Sequence, residues 1–140
     1  MNRPDDFRID LLVRHPSANP STISGSLRIQ PEFAWGVGDL LGGQPRTSSL
    51  WRATLAEGSG PKEFERALES VLSLMSDRNH FLSQTVASGG ELSLTVRTFA
   101  ETQNGKASEV HLNAPFLGTL AAIGIDLIFE VWMQGQEVEE

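Results

Sequence analysis

The sequence predicts an α+β fold: one two-layer domain built from a five-stranded mixed sheet with helices on a single face. Three observations carry that prediction. Phe7, Ile9, Leu11 and Val13 alternate with Arg8, Asp10, Leu12 and Arg14, the period of two that a strand with one buried face requires. After Pro61 the apolar residues recur at three and four instead, placing Phe64, Leu68, Val71, Leu72 and Met75 on one stripe, the period of an amphipathic helix. Segments of the two kinds succeed one another as β-α-β-α-α-β-β-α-β, and elements with one apolar face each bury those faces together in two layers.

The first strand covers Phe7 to Val13. Asn19 is placed to cap a helix that Pro20 opens and that runs to about Arg28, with Ile23 and Leu27 one turn apart. A glycine loop follows. The turn-forming run Gln44 to Ser49 then leads to a second strand, Leu50 to Leu55, and Glu57-Gly58-Ser59-Gly60 reads as a loop. The long helix from Pro61 is followed by a shorter one capped by Ser76 and Asp77, carrying Phe81, Leu82 and Val86, and ended by Gly89-Gly90. Leu92, Leu94, Val96 and Thr98 form one face of a third strand, and Asn104-Gly105 predicts a hairpin into an antiparallel fourth strand at Ser108 to Leu112. Asn113 and Pro115 start a helix bearing Phe116, Leu117, Leu120 and Ile123, and Gly124 is placed to end it. The last strand puts Ile125, Leu127, Phe129, Val131 and Met133 on one face. The pentads Arg8-Ile9-Asp10-Leu11-Leu12 and Gly124-Ile125-Asp126-Leu127-Ile128 are alike, so the halves have the look of a duplication.

A chain of 140 residues with 39% hydrophobic content is sized for a single domain, with an ordered core at about 6–133 and a polar tail at 134–140. The net charge of −7 disfavours nucleic acid, whose binding needs clustered Lys and Arg to displace counterions. The absence of cysteine excludes thiol catalysis, disulfides and Cys-ligated zinc. Met1 to Asp6 carries two acids where a signal peptide needs an apolar segment, and the most apolar stretch, Ala114 to Met133, is interrupted by Asp126 and Glu130. The expectation is a cytoplasmic protein that does not enter membranes.

Chemistry-bearing motifs are few. Trp35-Gly36-Val37-Gly38-Asp39-Leu40-Leu41-Gly42-Gly43 has phosphate-loop spacing, but such a loop must follow a strand and open a helix. Here a helix precedes it and a strand follows, so a connection is predicted rather than a nucleotide site. His15, His80 and His111 lack metal-binding spacing and read as surface or capping residues. No serine sits in a nucleophile elbow. No catalytic residue, cofactor or metal site is predicted.

The outer sheet face, away from the helices, is the candidate interaction surface. It comprises Arg8, Asp10, Leu12, Arg14, Arg97, Phe99, Asp126, Ile128, Glu130 and Trp132. Aromatic and aliphatic groups mixed with arginine characterise the centres of protein interfaces. Asp10, Asp126 and Glu130 also suit a hydrolase or isomerase sharing a proton between two carboxylates, whereas cross-strand ion pairs with the neighbouring arginines need no catalysis.

The order of motifs resembles a bacterial family named domain of unknown function 4279, from Phe7 to Trp132. It rests on the first strand, Pro20-Ser21-Thr22-Ile23-Ser24 leading to Leu27, Ile29 and Pro31, Gly38-Asp39 with a later Trp51, the central helix, and Leu120 to Gly124 before Ile125-Asp126-Leu127. The family's first helix usually ends Leu-Gly, and Arg28 stands in the glycine's place here. The resemblance implies an α/β two-layer domain and supplies no reaction, cofactor or catalytic residue. Some relatives are similar in size, charge and fold class to small acidic immunity proteins that neutralise bacterial toxins. The functional expectation is therefore a non-enzymatic protein-binding module, immunity-like and suited to a basic partner, in a monomer or homodimer. The alternatives are the carboxylate enzyme and a structural or regulatory subunit that pairs with itself.

Overall fold

Strand β1 (Asp6–His15), whose alternating side chains give it one buried face, lies at the centre of the sheet. The structure of the protein, a computed structural model, describes residues 6–101 and 110–134. After β1 come α1 (Pro20–Leu27), β2 (Phe33–Trp35), β3 (Leu40–Leu41), β4 (Gln44–Pro45), β5 (Ser49–Ser59), α2 (Pro61–Asp77), α3 (Asn79–Ala87), β6 (Glu91–Glu101), α4 (Ala114–Ile123) and β7 (Ile125–Gln134). The main sheet is five-stranded in the order β2-β5-β1-β6-β7. Among the described residues only the β6–β7 pair is parallel. A parallel pair needs a crossover connection, and α4 lies on it.

Phe7, Ile9, Leu11 and Val13 of β1, Trp51 and Ala53 of β5, and Leu92, Leu94 and Val96 of β6 point to one side and are buried. They join one core with Ile23 and Leu27 of α1, Ala67, Leu68, Val71 and Met75 of α2, Leu82 of α3, and Phe116, Leu120 and Ile123 of α4. All four helices thus bury their apolar stripes against the same sheet face. Trp51 is the largest fully buried side chain, and its indole Nε1 donates to Ser24 Oγ at 2.9 Å. The similar pentads fall on β1 and β7, with Ile9, Leu11, Ile125 and Leu127 inward and Asp10 and Asp126 outward, on strands running in opposite directions.

Four local expectations are corrected. The predicted loop at Glu57 to Ser59 belongs to β5: a bulge at Leu55, opposite Ile9/Asp10, shifts the register by one residue, and the ladder runs on to Asp6↔Ser59. Ser76 and Asp77 are the last residues of α2 rather than caps of α3, and Arg78 joins the two helices without a side-chain cap. The fourth strand at 108–112 is not formed at Val110 to Leu112, the part within the described residues; Asn104-Gly105 lies outside them. Both edges of β6 from Leu92 to Thr98 are already occupied, by β1 and β7. The fifth place in the sheet is taken by β2, a three-residue edge strand too short to show a period.

Arg28 ends α1 in the left-handed conformation, φ 59° and ψ 42°, with its N–H bonded to Ser24 O at 2.7 Å. It therefore does glycine's work with a Cβ that clashes in that region. Arg28→Gly is expected to raise stability by roughly 0.5–1 kcal/mol after the unfolded chain's added freedom is subtracted, read as a higher urea midpoint at unchanged slope. Among the described residues no helix is long and apolar enough to cross a membrane.

Candidate interaction face

Alternation on the three strands β1, β6 and β7 carries all ten predicted residues to the outer face, and the register arranges them in rows. Glu57, Arg8, Arg97 and Glu130 form one row across β5, β1, β6 and β7. Asp10, Thr95 and Ile128 form the next, and Arg52, Leu12, Ser93 and Asp126 the one after it. Arg14 lies opposite Glu91 at the far end, while Phe99 and Trp132 are paired at the near end.

Two charge clusters result. In the first, Asp10, only 4% exposed, receives Arg8 Nε at 3.0 Å and Arg52 Nη2 at 3.3 Å. Both guanidiniums also reach Glu32, Arg8 by a hydrogen bond and Arg52 Nε at 3.6 Å, and Thr54 donates to the same carboxylate. Burial opposes the Arg8 charge, but its bond to Asp10 and the fields of Asp10, Glu32 and Glu57 outweigh that and raise its pKa. Arg52 also lies over the Phe33 ring, 5.5 Å from its centroid. A buried carboxylate between two arginines holds β1 and β5 together where the bulge interrupts their register.

In the second cluster Glu130 Oε1 accepts from Trp132 Nε1 at 3.1 Å and from Arg97 Nε at 2.9 Å. Arg97 lies 5.4 Å over the Trp132 ring, and Phe99 is tilted against it at 6.3 Å. The hydrogen bonds from Trp132 and then Arg97, with the Arg97 and Arg52 charges, hold the Glu130 pKa below its ordinary value. A depressed carboxylate contributes stability above its unfolded-state pKa and loses it only as pH falls through the folded value. The acid titration of the Trp132 indole N–H resonance is thus expected to have its midpoint below that of an ordinary glutamate. A midpoint at or above the ordinary value, or a transition that persists in Glu130→Gln, would contradict the assignment.

Trp132 is 53% and Ile128 42% exposed, whereas Leu12 is half-buried. A cleft of about 470 Å³ opens beside this corner, lined by Arg8, Arg97, Phe99 and Trp132 together with Glu57 and Glu63. The family model described as Domain of unknown function (DUF4279) matches residues 6–134. The chain belongs to the DUF4279 family. No curated protein and no solved structure matches the chain.

In this DUF4279 chain the glycine loop forms a small β3–β4 hairpin. Gly42 and Gly43, with φ of 62° and 79°, supply its two-residue turn. The amides a phosphate would need are already bonded: Gly36 N–H to Asp39 Oδ2, Val37 N–H to Ser49 Oγ, Gly38 N–H to Arg46 O and Asp39 N–H to Gly36 O. Asp39 is therefore a turn-maker. Trp35 is half-buried and carries Arg46 4.5 Å over its ring, while Trp51 sits in the core.

The three carboxylates that the sequence singled out sit on separate rows. Counting strand spacings and residues, the Asp10 Cα lies roughly 12 Å from those of Asp126 and Glu130, and these two lie about 13 Å apart. Asp10 is bonded by Arg8 and Arg52, and Glu130 by Arg97 and Trp132. His15 is buried rather than superficial, and within 2.9 Å of Ser88 Oγ it has the outline of a serine–histidine pair. Its Nδ1 accepts from the N–H groups of Ser17 and Ala18 at 3.0 and 2.8 Å, so the proton sits on Nε2, which donates to Ser88 and cannot serve as a base. The ring caps the chain leaving β1. His80 and His111 are exposed, and no group of three or more metal-ligating side chains occurs among the described residues.

Sequence reading missed Arg52, Glu32 and Phe33. Arg52 was within reach, since Leu50, Arg52 and Thr54 alternate with Trp51, Ala53 and Leu55. Glu32 and Phe33 had no such signal, because β2 is three residues long.

Proposed function

We propose that this DUF4279 domain is a non-enzymatic protein-recognition module whose contact surface is the outer face at the β6–β7 end, with Trp132 as its anchor. The observation that carries the reading is the state of that side chain. More than half of it is open to solvent, yet its indole N–H is committed to Glu130 and its face to Arg97. An exposed aromatic already held in place loses little side-chain entropy when a partner covers it. Tryptophan and arginine side by side are the residue types that dominate interface energetics.

In its sharper form the partner is a basic protein and the module acts as an immunity protein, neutralising a toxin. The net charge of −7 supports this, since opposite charge speeds encounter and rejects acidic competitors. A cytoplasmic location belongs to the same reading, in keeping with a cysteine-free chain. Co-expression with the toxin-like product of a neighbouring gene tests the sharper form. A stable complex and protection of growth, both lost in Trp132→Ala, are expected. Absence of complex and protection with the parent chain would remove it.

A further inference from the structure

The strand β7 has two features that recognition by Trp132 does not use. Its outer edge pairs with no strand among the described residues, because β7 ends the sheet order. Its inner face also runs beyond the helical layer: Ile125 is 6% exposed, Leu127 half-buried, Phe129 41% and Val131 49% exposed. Natural edge strands are guarded by lysine, proline, bulges or shortness. The other edge of this sheet is guarded by shortness, since β2 has three residues. The ten-residue β7, IDLIFEVWMQ, contains neither lysine nor proline and pairs with β6 in unbroken register.

We infer that the occupant of this edge is a second copy of the chain, paired β7 to β7, antiparallel, about Phe129. A two-fold axis normal to the sheet keeps inner faces with inner faces, so the two longest registers are centred on Phe129 and Glu130, and those centred on Ile128 and Val131 are shorter, the latter leaving Leu127 outside the ladder. Centring on Ile128 sets Asp126 opposite the partner's Glu130, and centring on Glu130 sets that carboxylate against its own copy. Like charges directly opposite are destabilising. Centring on Phe129 sets Asp126 opposite the partner's Trp132 and Glu130 opposite the partner's Ile128. On the inner face it covers Phe129 with the partner's Phe129 and Val131 with the partner's Leu127, so the register that avoids carboxylate repulsion also buries the residues the helices leave bare. The ten strands then form one continuous sheet.

The apolar area available is on the order of 300–400 Å² per copy, from four exposed side chains. That is below the roughly 800 Å² per partner of a standard stable interface. The pair is accordingly a weak, dissociable dimer populated at high protein concentration.

Sedimentation velocity from low micromolar to near-millimolar concentration reads the association, and the absence of cysteine allows the register to be read by cross-linking. The parent chain is expected to shift from monomer to dimer mass, and Val131→Lys to remain monomeric with an unchanged far-ultraviolet spectrum. Under mild oxidation Phe129→Cys is expected to form a covalent dimer, because opposed residues lie about 4.5–5.5 Å apart between Cα atoms, within disulfide reach. Ile128→Cys is expected not to, since the pairing offsets it from its own copy. A parent chain that stays monomeric throughout, Val131→Lys that still dimerises, or cross-linking from Ile128→Cys but not Phe129→Cys would each overturn the inference. Loss of dimer with partner binding intact would refute self-association alone and leave the Trp132 reading standing.

Discussion

Trp51→Ala is expected to lower the unfolding free energy by about 4 kcal/mol, the upper range for emptying a large aromatic site in a packed core. A domain of ordinary stability, about 5–15 kcal/mol, would be left near the point of unfolding. The size of the effect follows from position. Trp51 is fully buried on β5, and the same residue ties the sheet to α1 through Ser24. Truncation opens a cavity and orphans a hydroxyl at once. Trp51→Phe separates the two contributions, since it keeps most of the volume and loses only the indole hydrogen bond, for roughly 1–2 kcal/mol. Urea denaturation followed by circular dichroism checks both. A loss below about 1 kcal/mol for the alanine variant would mean that Trp51 is not the centre of the core.

Asp10→Ala is expected to cost about 2–3 kcal/mol, because it removes the buried partner of two arginines and leaves only the more exposed Glu32 to compensate them. The two arginines involved are about 27% and 29% exposed, which keeps the figure below that of a fully buried pair. The carboxylate is nearly inaccessible, which argues for a structural rather than a reactive role. A double-mutant cycle between Asp10 and Arg52 should return a coupling of about 1 kcal/mol or more, and one between Glu130 and Arg97, closer to solvent, should return less. Equal couplings would show that burial does not distinguish the two clusters.

Much of this architecture was legible because burial imposes a period. The alternation of β1, the stripe of α2 and the Asn113 and Gly124 caps of α4 are local patterns, and each appears where the pattern puts it. The parity of β1, β6 and β7 was enough to place ten residues on one face. What parity does not carry is register between strands, so the rows that bring Arg97 to Glu130 and Arg52 to Asp10 emerge only from the pairing. The fourth strand, not formed at Val110 to Leu112, failed for a related reason. A local turn signal says nothing of whether the edge beside it is free, and β7 occupies one edge of β6 from Leu92 onward. The glycine loop is the converse case: its motif looked like a binding site, its flanks argued otherwise, and in the structure it forms a hairpin several of whose amides are bonded within the chain.

The recognition surface turns on whether a partner meets Trp132. Site-specific photo-crosslinking in cells of origin reads this directly, with a photoreactive phenylalanine in place of Phe99, which lies against the Trp132 ring, and, for comparison, at exposed Glu65 on the opposite, helical side. The expected result is one discrete protein adduct from position 99, absent from position 65 and lost when Trp132→Ala removes the anchor. No adduct from position 99, or the same adducts from both positions, would contradict a recognition role for this face.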